Sequence, residues 1–557
     1  MKERYLNVME RALECYSVER LKNYTRKVKD AGLTDQSLSR LAANIGILIA
    51  YNRKRELTPV FFEMMDICCE QIPKVKAANE FSVVELCLLL LELERSDFVE
   101  KERLQGWKTQ LSSACAFDLY KQVYTLPPEK LHNWALFGAS SEWLRVYTGM
   151  SEERDFVDKQ IATQLRLFDE NGMYIDPHAP ILYDLVARYR LALMLHFGYN
   201  GKYRKEMDVL LEKSGLLTLR MQSVTGEIPY GGRSNQFLHN EANLVVLYKF
   251  EALRYKKRGE LEKAGQFVRA ANLALEAIEK WLEFVPSKHV KNRYSQDSFF
   301  GCEGYAYFDK YMITLASVIY PALFLDTSSI AEVACPAECG GFISKTGDAF
   351  HKVFLNKNGY FLEADTCADL HYEGSGLGRI HKANAPSAIC LSMPFAKEPW
   401  YKLGERKNET DFSICPAIKT DKERWIFGAG NEASYTFVDE KATSRMRFVC
   451  DFGDNKTVNF ICSVDKDGVL LQATSENQEE LGICLPVFSF DGETSTKISE
   501  NNEKLSVEYE GWVCEYQTEN LTDLRMELLN RNGVYKGYIA SGKKAVEVRI
   551  RIKRAKE

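Results

Sequence analysis

The sequence has no long apolar run, no large excess of either charge and no pattern typical of an export signal. Its longest apolar run covers residues 86–91, far fewer than the roughly 18 residues that span a bilayer. Residues 1–17 carry a charge every few positions, unlike a signal peptide. The formal net charge is only -5 over 557 residues, which indicates no general binding to nucleic acid or membranes. We therefore expect a cytoplasmic chain with neither of these partners.

The cysteines follow no metal-binding or disulfide pattern. Fifteen are scattered through the chain, and the close pairs are Cys68 with Cys69 and Cys335 with Cys339. Neither pair is accompanied by the second cysteine or histidine pair that a structural zinc site requires. We expect reduced, mostly buried thiols, and the sequence predicts no metal site and no cofactor.

The first part of the chain, to about residue 325, has the apolar spacing of helices. Charged residues occupy the opposite face of such stripes, as in the set Val268, Ala271, Leu275, Ile278 and Leu282. Breaks at residues 127–128, 171–172 and 200–201 divide this part into helical hairpins. No fixed repeat of the tetratricopeptide or ankyrin kind is present, so we predict a closed (α/α) toroid rather than an open solenoid.

The rest of the chain changes to the two-residue period of strands. Apolar and polar residues alternate over residues 546–552, and Asp467-Gly468 and Asn532-Gly533 are typical of hairpin turns. This pattern predicts an antiparallel β-sandwich. Because the length exceeds that of one ordinary core, we predict a multidomain α and β chain, with the toroid over residues 1–330 and the sandwich over residues 331–557.

The most informative segment covers residues 226–242. We predict that a helix begins near Arg233 or Ser234 after a glycine-rich loop. One face would then carry Arg233, Gln236, Phe237, Asn240 and Glu241. Polar groups at one end of a core-forming stripe indicate a polar cavity. The alternative is a satisfied structural network with Ser234 as the helix cap.

Two further segments of the helical part combine acids, amides and aromatic rings. Asp176 precedes a proline-punctuated loop, where it could instead act as a cap. The second segment places an acid between a glycine turn and aromatic residues; its candidates are Asn292, Arg293, Glu303 and Tyr305. Asn133-Trp134 is a weaker candidate, for which ordinary helix packing is the simpler interpretation.

In the β part, a glycine-rich segment carries Arg379 and His381. It lacks the lysine and the strand-to-helix context of a phosphate-binding loop. Its glycines could serve only to form turns. The alternative prediction is that this segment is a loop that closes over the cleft of the toroid.

Four sequence motifs together resemble those of the heparinase II/III-like superfamily. They are GEIPYGGRSNQ (226–236) with NEA (240–242), DPHAPILYDLVARY (176–189), VKNRY (290–294) with GCEGY (301–305), and FLEADT (361–366) with GLGRIH (376–381). The resemblance covers most of residues 130–400. It implies a toroid followed by a β-sandwich, and a substrate that contains uronic acid. Members include uronate-specific glycoside hydrolases such as β-glucuronidases, and polysaccharide lyases.

The residues narrowly favour hydrolysis over elimination. Hydrolysis needs two carboxyl groups beside the scissile bond. We predict Glu241 as the general acid, because apolar neighbours would raise its pKa, and Glu303 or Asp176 as the second carboxylate. Arg233 and Arg379 would bind the substrate carboxylate. This hypothesis is a glycosidase that removes a uronic acid, β-glucuronic acid, from an oligosaccharide or glycoconjugate.

The first alternative is a lyase that cleaves uronate glycans by β-elimination. It needs a base at C5 and groups that neutralise the carboxylate. Tyr230, Tyr305 or His239 would be the base, although a helical His239 would project away from Glu241. The neutralising groups would be Asn240, Gln236 and Arg233. The second alternative is a non-catalytic glycan-binding scaffold, and the sequence leaves a homo-oligomer open.

Overall fold

The structure of the chain is a computed structural model. It describes residues 1–120, 123, 125–420, 423–477, 480–501 and 504–556. The helices occupy the first part of the chain and the strands the second, as predicted. No helix among the described residues is long and apolar enough to cross a membrane.

Fifteen α-helices are described. Their bounds are α1 Lys2–Leu13, α2 Val18–Ala31, α3 Ser37–Ala50, α4 Thr58–Gln71, α5 Asn79–Arg95, α6 Lys101–Leu111, α7 Ala116–Leu119, α8 Asn133–Tyr147, α9 Arg154–Leu165, α10 Ile181–His196, α11 Arg204–Met221, α12 His239–Lys257, α13 Leu261–Leu282, α14 Phe308–Ile319 and α15 Pro336–Cys339.

Six of these helices form a closed inner ring. In order around it, α3 packs on α5, then α8, α10, α12 and α14, and α14 returns to α3. The helices α4, α6, α9, α11, α13 and α1 pack outside these six, one against each. The inner helices are buried around most of their circumference, as in α5 and α12, because they are covered on both sides. The predicted closed toroid is confirmed.

Seventeen strands are described after the helices. Their bounds are β1 Phe342–Lys345, β2 Lys352–Lys357, β3 Tyr360–Asp365, β4 Gly376–Lys382, β5 Pro416–Lys419, β6 Trp425–Phe427, β7 Ser434–Val438, β8 Arg445–Asp451, β9 Thr457–Asp465, β10 Gly468–Thr474, β11 Glu480–Phe490, β12 Lys497–Glu500, β13 Lys504–Tyr509, β14 Trp512–Gln517, β15 Leu521–Asn530, β16 Gly533–Lys543 and β17 Ala545–Arg554.

The strands form three antiparallel sheets. The orders are β1-β2-β3-β4, β12-β13-β14-β17-β10-β9-β8-β7 and β15-β16-β11-β5-β6. The second and third sheets pack face to face through β10, β11, β16 and β17 around a single apolar core. Both predicted hairpin turns are present, between β9 and β10 and between β15 and β16. The predicted β-sandwich is confirmed.

The first sheet connects the two parts of the chain. Its residues Phe354 and Phe361 belong to the core of the helical ring, whereas Leu355 and Leu362 belong to the core of the sandwich. The last helix of the ring ends at residue 319 and the first strand begins at residue 342. The boundary at residues 330 and 331 lies between them and stays a prediction.

The predicted start of the helix over residues 233–241 is wrong. Helix α12 begins at His239, because Ser234 and Gln236 have φ values of 57° and 66°, in the left-handed region that a helix does not use. Phe237 then forms an isolated β-bridge with Val290. The five residues predicted to share a helix face are therefore divided between an irregular loop and the first turn of α12.

The predicted loop that closes over the cleft is also wrong. Arg379 and His381 lie in β4, an edge strand of the first sheet, and both are buried. Gly378 in this strand has no room for a side chain, because an added Cβ would lie 2.2 Å from the hydroxyl of Tyr230. The glycines of this segment thus permit close packing against the 226–238 loop.

Candidate active site

A cavity of ≈ 410 Å³ lies at the centre of the helical ring. All six inner helices contribute to its lining, together with the loops before α12 and α14. Its polar lining includes three cations and three tyrosines, Arg40, Arg190, Lys310, Tyr183, Tyr305 and Tyr311. No carboxylate lines it within the part of the chain that the structure describes. The cavity therefore favours a negatively charged ligand.

Arg190 is the most unusual of these cations. It is only 7% exposed, its guanidinium lies 3.9 Å from the ring centroid of Phe137, and its Nε has no hydrogen-bond partner among the described residues. Burial lowers its pKa. A buried guanidinium with an unsatisfied donor is suited to bind a carboxylate or a sulfate.

Arg40 provides a second positive charge in the same cavity. Its Nη1 donates a 2.8 Å hydrogen bond to Thr314, and its Nε lies 3.4 Å from Glu85. Burial raises the pKa of Glu85, and the opposing effects of Arg40 and Arg190 do not cancel the increase. Glu85 therefore neutralises the two arginines incompletely.

The rim of the cavity holds a connected set of polar groups. Asp176 accepts a 2.9 Å hydrogen bond from Asn133 and pairs with Arg233. The Arg233 guanidinium lies 4.2 Å from the ring centroid of Tyr183. Burial disfavours its charge, but Tyr183 and Asp176 together raise the pKa of Arg233. A substrate in the cavity would thus meet a tyrosine held beside a permanent cation.

His239 lies on the cavity, whereas Glu241, from which it was predicted to project away, does not. It is the first residue of α12 and lines the cavity beside Asn243. Burial lowers its pKa from 6.5 to about 3, and its Nδ1 has no hydrogen-bond partner among the described residues. His239 is therefore a neutral imidazole at ordinary pH.

Glu303 holds the strained loop before α12 in position. Its Oε1 accepts hydrogen bonds from the backbone N–H of Ser234 at 2.6 Å and from Arg531 at 2.7 Å. The hydroxyl of Ser234 then lies 3.0 Å from that of Tyr305 and 3.3 Å from that of Tyr311. Burial raises the pKa of both tyrosines, so both can donate hydrogen bonds into the cavity.

Glu241 lies away from the cavity lining, in a buried ionic cluster. Its Oε1 accepts a 2.7 Å hydrogen bond from Lys291, which also contacts Glu227 at 3.0 Å. Burial raises the pKa of Glu241, and Lys291 opposes this effect. None of Glu241, Glu303 and Asp176 lines the cavity, and each pairs with a different cation.

Three more of the predicted residues support the loop before α12. Gln236 and Asn240 are fully buried; Gln236 accepts a hydrogen bond from Asn532 at 3.2 Å, and Asn240 accepts one from the backbone N–H of Phe237 at 3.0 Å. Tyr230 is also fully buried, with the ammonium of Lys352 3.6 Å from its ring centroid. None of the three lines the cavity.

Asn292 and Arg293 join the two parts of the chain. Asn292 donates a 2.7 Å hydrogen bond to the carbonyl of Arg531. Arg293 pairs with Glu510 and lies 3.3 Å from Asp491. Their contacts with the sandwich explain their polar character without a ligand.

Arg379 and His381 have buried partners as well. Arg379 donates to the carbonyls of Ile228 at 2.7 Å and Ser392 at 2.9 Å. His381 lies 2.7 Å from the hydroxyl of Ser223 and 2.8 Å from that of Ser392. Because both side chains are at most 1% exposed, neither can bind a substrate in this structure.

The sequence analysis missed Arg40, Arg190 and Tyr311 as cavity residues. The signal for Arg190 was a third charged residue in a largely apolar helix, in which Asp184 and Arg188 pair with each other; an unpaired buried charge is costly unless it has a function. Arg40 gave no such signal, because a single arginine in an amphipathic helix is ordinary. Which helix faces meet at the centre of a ring depends on long-range packing.

The chain aligns with solved structures over most of its length. They include heparan sulfate lyase HepC from Pedobacter heparinus, with 8% identity, coverage of 97% of this chain and 89% of that chain, and a TM-score of 0.36. A heparinase III has 10% identity, coverage of 97% and 92%, and a TM-score of 0.37. A glycoside hydrolase has 11% identity, coverage of 92% and 88%, and a TM-score of 0.32.

These structures include heparinases, the group whose motifs the sequence resembles. No protein-family model matches the chain, and no curated protein sequence does so either. TM-scores below 0.5 carry no argument about activity. The chemistry of the cavity must therefore be derived from its own residues.

Proposed function

We propose that the chain is a carbohydrate-active enzyme that cleaves uronic-acid-containing oligosaccharides or glycoconjugates in the central cavity, by β-elimination. The observation that carries this proposal is the composition of the cavity. Arginines and tyrosines line it, and no carboxylate does so among the described residues. Elimination needs a base and groups that stabilise negative charge, whereas ordinary hydrolysis needs two carboxyl groups at the bond.

Arg190 and Arg40 bind the uronate carboxylate in this proposal. The Nε of Arg190 has no hydrogen-bond partner among the described residues, and Arg40, whose Nε lies 3.4 Å from Glu85, adds a second positive charge. Charge-assisted hydrogen bonds from arginine to a carboxylate are about twice as strong as neutral ones. Binding would also draw electron density from the uronate and make the proton at C5 more acidic.

Tyr183 reacts as its phenolate, takes the C5 proton and becomes the neutral phenol. Its half-buried side chain lines the cavity, and the guanidinium of Arg233 lies over its ring at 4.2 Å. As the proton leaves, negative charge spreads over the sugar carboxylate, where the amide of Asn133 and the two buried arginines stabilise it. A double bond then forms between C4 and C5, and the bond from C4 to its oxygen breaks.

The departing oxygen needs a proton. Tyr305 and Tyr311 have pKa values raised mainly by burial, so they are protonated at ordinary pH. The hydroxyl of Ser234 links the two, and Tyr305 is 48% exposed, at the side from which a longer substrate would enter. Tyr305 is therefore the proposed proton donor.

Hydrolysis of a β-glucuronide is the second candidate. Asp176 favours it, because this carboxylate is bound to Asn133 at the cavity rim. The other carboxylate would be Glu303, which Arg531 contacts through two hydrogen bonds of 2.7 Å and 3.0 Å. Those two bonds, with the backbone N–H of Ser234, occupy both oxygens of Glu303, so neither is free to protonate a leaving group.

The test uses a panel of uronate oligosaccharides and the same compounds with their carboxyl groups reduced to alcohols. We expect turnover of at least one uronate compound and none of its reduced counterpart, because the arginines then lack a negative partner. Equal turnover of both forms would contradict the proposed role of the arginines. Absence of turnover across glucuronate, iduronate, galacturonate and mannuronate compounds would contradict the uronate specificity.

A further inference from the structure

Three potential metal ligands meet where the helical ring touches the first sheet. His178 belongs to the loop before α10, and Asp369 and His371 belong to the loop between β3 and β4. One ligand atom from each lies within 4.8 Å of the other two. This is the one such group among the described residues that contains three histidine, cysteine or carboxylate side chains.

The distances within this group suit a small divalent cation. The Nδ1 of His178 lies 3.2 Å from Oδ2 of Asp369, and the Nδ1 of His371 lies 2.7 Å from Oδ1. Two ligands on a tetrahedral zinc ion, each about 2.0–2.1 Å from the metal, are roughly 3.3 Å apart. Small side-chain rotations would therefore place all three ligands around one ion.

The carboxylate has an unsatisfied oxygen that faces this position. Oδ2 of Asp369 is shielded from solvent and has no hydrogen-bond partner among the described residues, although the His178 ring stands beside it. Oδ1 already accepts hydrogen bonds from the backbone N–H and from the ring of His371. A cation at Oδ2 would satisfy the atom that the protein leaves unsatisfied.

The surroundings hold the two rings in place. The ring centroid of His371 lies 4.0 Å from that of Trp400, and the His178 ring lies 5.7 Å from the same tryptophan. His178 and Ala179 both have positive φ, 66° and 42°. Such strained backbone persists where surrounding contacts fix it, and it often marks a functional position.

We infer that His178, Asp369 and His371 bind a divalent transition metal, with Zn²⁺ as the preferred ion. Two imidazoles and one carboxylate with an open fourth position match its preferred ligands. The ion would tie the loop before α10 to the first sheet. Since Asp176 is two residues from His178, the ion would also fix the carboxylate that binds Asn133 and Arg233. This inference does not depend on which reaction the cavity performs.

The test is a titration of the full chain with ZnCl2 after removal of bound metal with a chelator and dialysis. We expect one equivalent to bind, with an increase in melting temperature. Cobalt(II) at the same position should give the intense visible absorption of a tetrahedral complex. Loss of a metal's outer partner typically costs 10–100-fold in affinity, so His178→Gln and His371→Gln should each weaken binding by at least about 100-fold.

His351→Gln is the matched control, because His351 also pairs with a carboxylate, Asp365, at 2.6 Å but has no third ligand of this kind among the described residues. It should leave zinc binding unchanged. Circular dichroism identifies any variant that fails to fold, and Asp369→Asn then replaces it in the comparison. Failure of the wild-type chain to bind one equivalent of zinc would overturn the inference, as would equal loss of affinity in His351→Gln.

Discussion

The central cavity and the contact layer between the helical ring and the sheets contain the same kinds of polar side chains. They differ in how those side chains are paired. In the contact layer, Lys291 is shared by Glu241 and Glu227, and Arg531 is held by Glu303. In the cavity, the guanidinium of Arg190 forms no ion pair with a described carboxylate, has an unsatisfied Nε and lies over the ring of Phe137. Buried charges with an opposite partner indicate structure, whereas a buried charge without one indicates a ligand.

The largest effect that this comparison predicts is on catalysis at Tyr183. Tyr183→Phe removes the proposed base and should lower kcat by about 10²–10⁴-fold, the usual contribution of a positioned general base. Its melting temperature should change little, because the ring and its contact with Arg233 remain. Tyr307→Phe, at a tyrosine 47% exposed outside this cavity, is the control. Similar kcat values for Tyr183→Phe and wild type would contradict the assignment.

The second prediction compares two buried arginines of the inner ring. Arg145 pairs with Glu142 at 2.9 Å and donates to the carbonyl of Ala114 at 2.7 Å. Arg145→Met should therefore lower the free energy of unfolding by about 3–5 kcal/mol, because it leaves a carboxylate buried without its partner. Arg190→Met should change it by less than about 1 kcal/mol, since a methionine fills the same space without unsatisfied donors.

For substrate affinity, we expect Arg190→Met to have a larger effect than Arg145→Met, the reverse of their order for stability. Arg190→Met removes a charge-assisted hydrogen bond, worth about 1.5–3 kcal/mol, and should raise KM by roughly 10–100-fold. Arg145→Met should leave KM within about twofold in the fraction that folds. Urea unfolding and steady-state kinetics measure the two quantities. A large loss of stability in Arg190→Met with unchanged KM would contradict a ligand-binding role.

The third prediction concerns Glu241, which the sequence analysis assigned as the general acid. Glu241→Gln should lower the free energy of unfolding by about 1–3 kcal/mol, the cost of an imperfectly satisfied buried group. Lys291 retains Glu227 as a partner, which limits the loss. The kcat should stay within about threefold of wild type. Complete loss of turnover with unchanged stability would instead restore Glu241 as the catalytic acid.

The last prediction, whose effect is absent at neutral pH, is a pH dependence from His239. Its folded pKa, about 3, lies below its ordinary value of 6.5, so the unfolded chain binds more protons between these values. Stability from this group is complete above pH 6.5 and is lost as the pH falls toward 3, by about 1.4 kcal/mol per pH unit. His239→Gln should unfold with a shallower dependence on pH in this window. Identical slopes for the two proteins would contradict a buried neutral imidazole.

The fold was largely predictable because periodicity is a local property. The stripe of α13 and the alternation of β17 mark a helix and a strand without long-range information. Closure of the ring was a preference based on the absence of repeats, and packing of α14 on α3 confirms it. Asp467-Gly468 and Asn532-Gly533 were recognisable because hairpin turns require these residue types.

The candidate site was predictable only in part. Arg233 and Tyr305 occupy the rim and lining of the cavity, as a polar segment suggests. The start of α12 was wrong because Glu303 and Asn532, distant in the chain, bind the loop around Ser234 and Gln236. Such contacts override the helical preference of the segment itself. The placement of Arg40 and Arg190 in the cavity could not be predicted from the sequence for a related reason. It depends on how six helices pack together.

The central claim is that Tyr183 catalyses an elimination within the cavity. The most direct measurement follows new reducing ends and the ultraviolet absorbance of the unsaturated product in the same reaction, for wild type and Tyr183→Phe. We expect both signals to rise in equal amounts for wild type, and neither to rise appreciably for Tyr183→Phe. Reducing ends that appear without the absorbance would contradict elimination and establish hydrolysis.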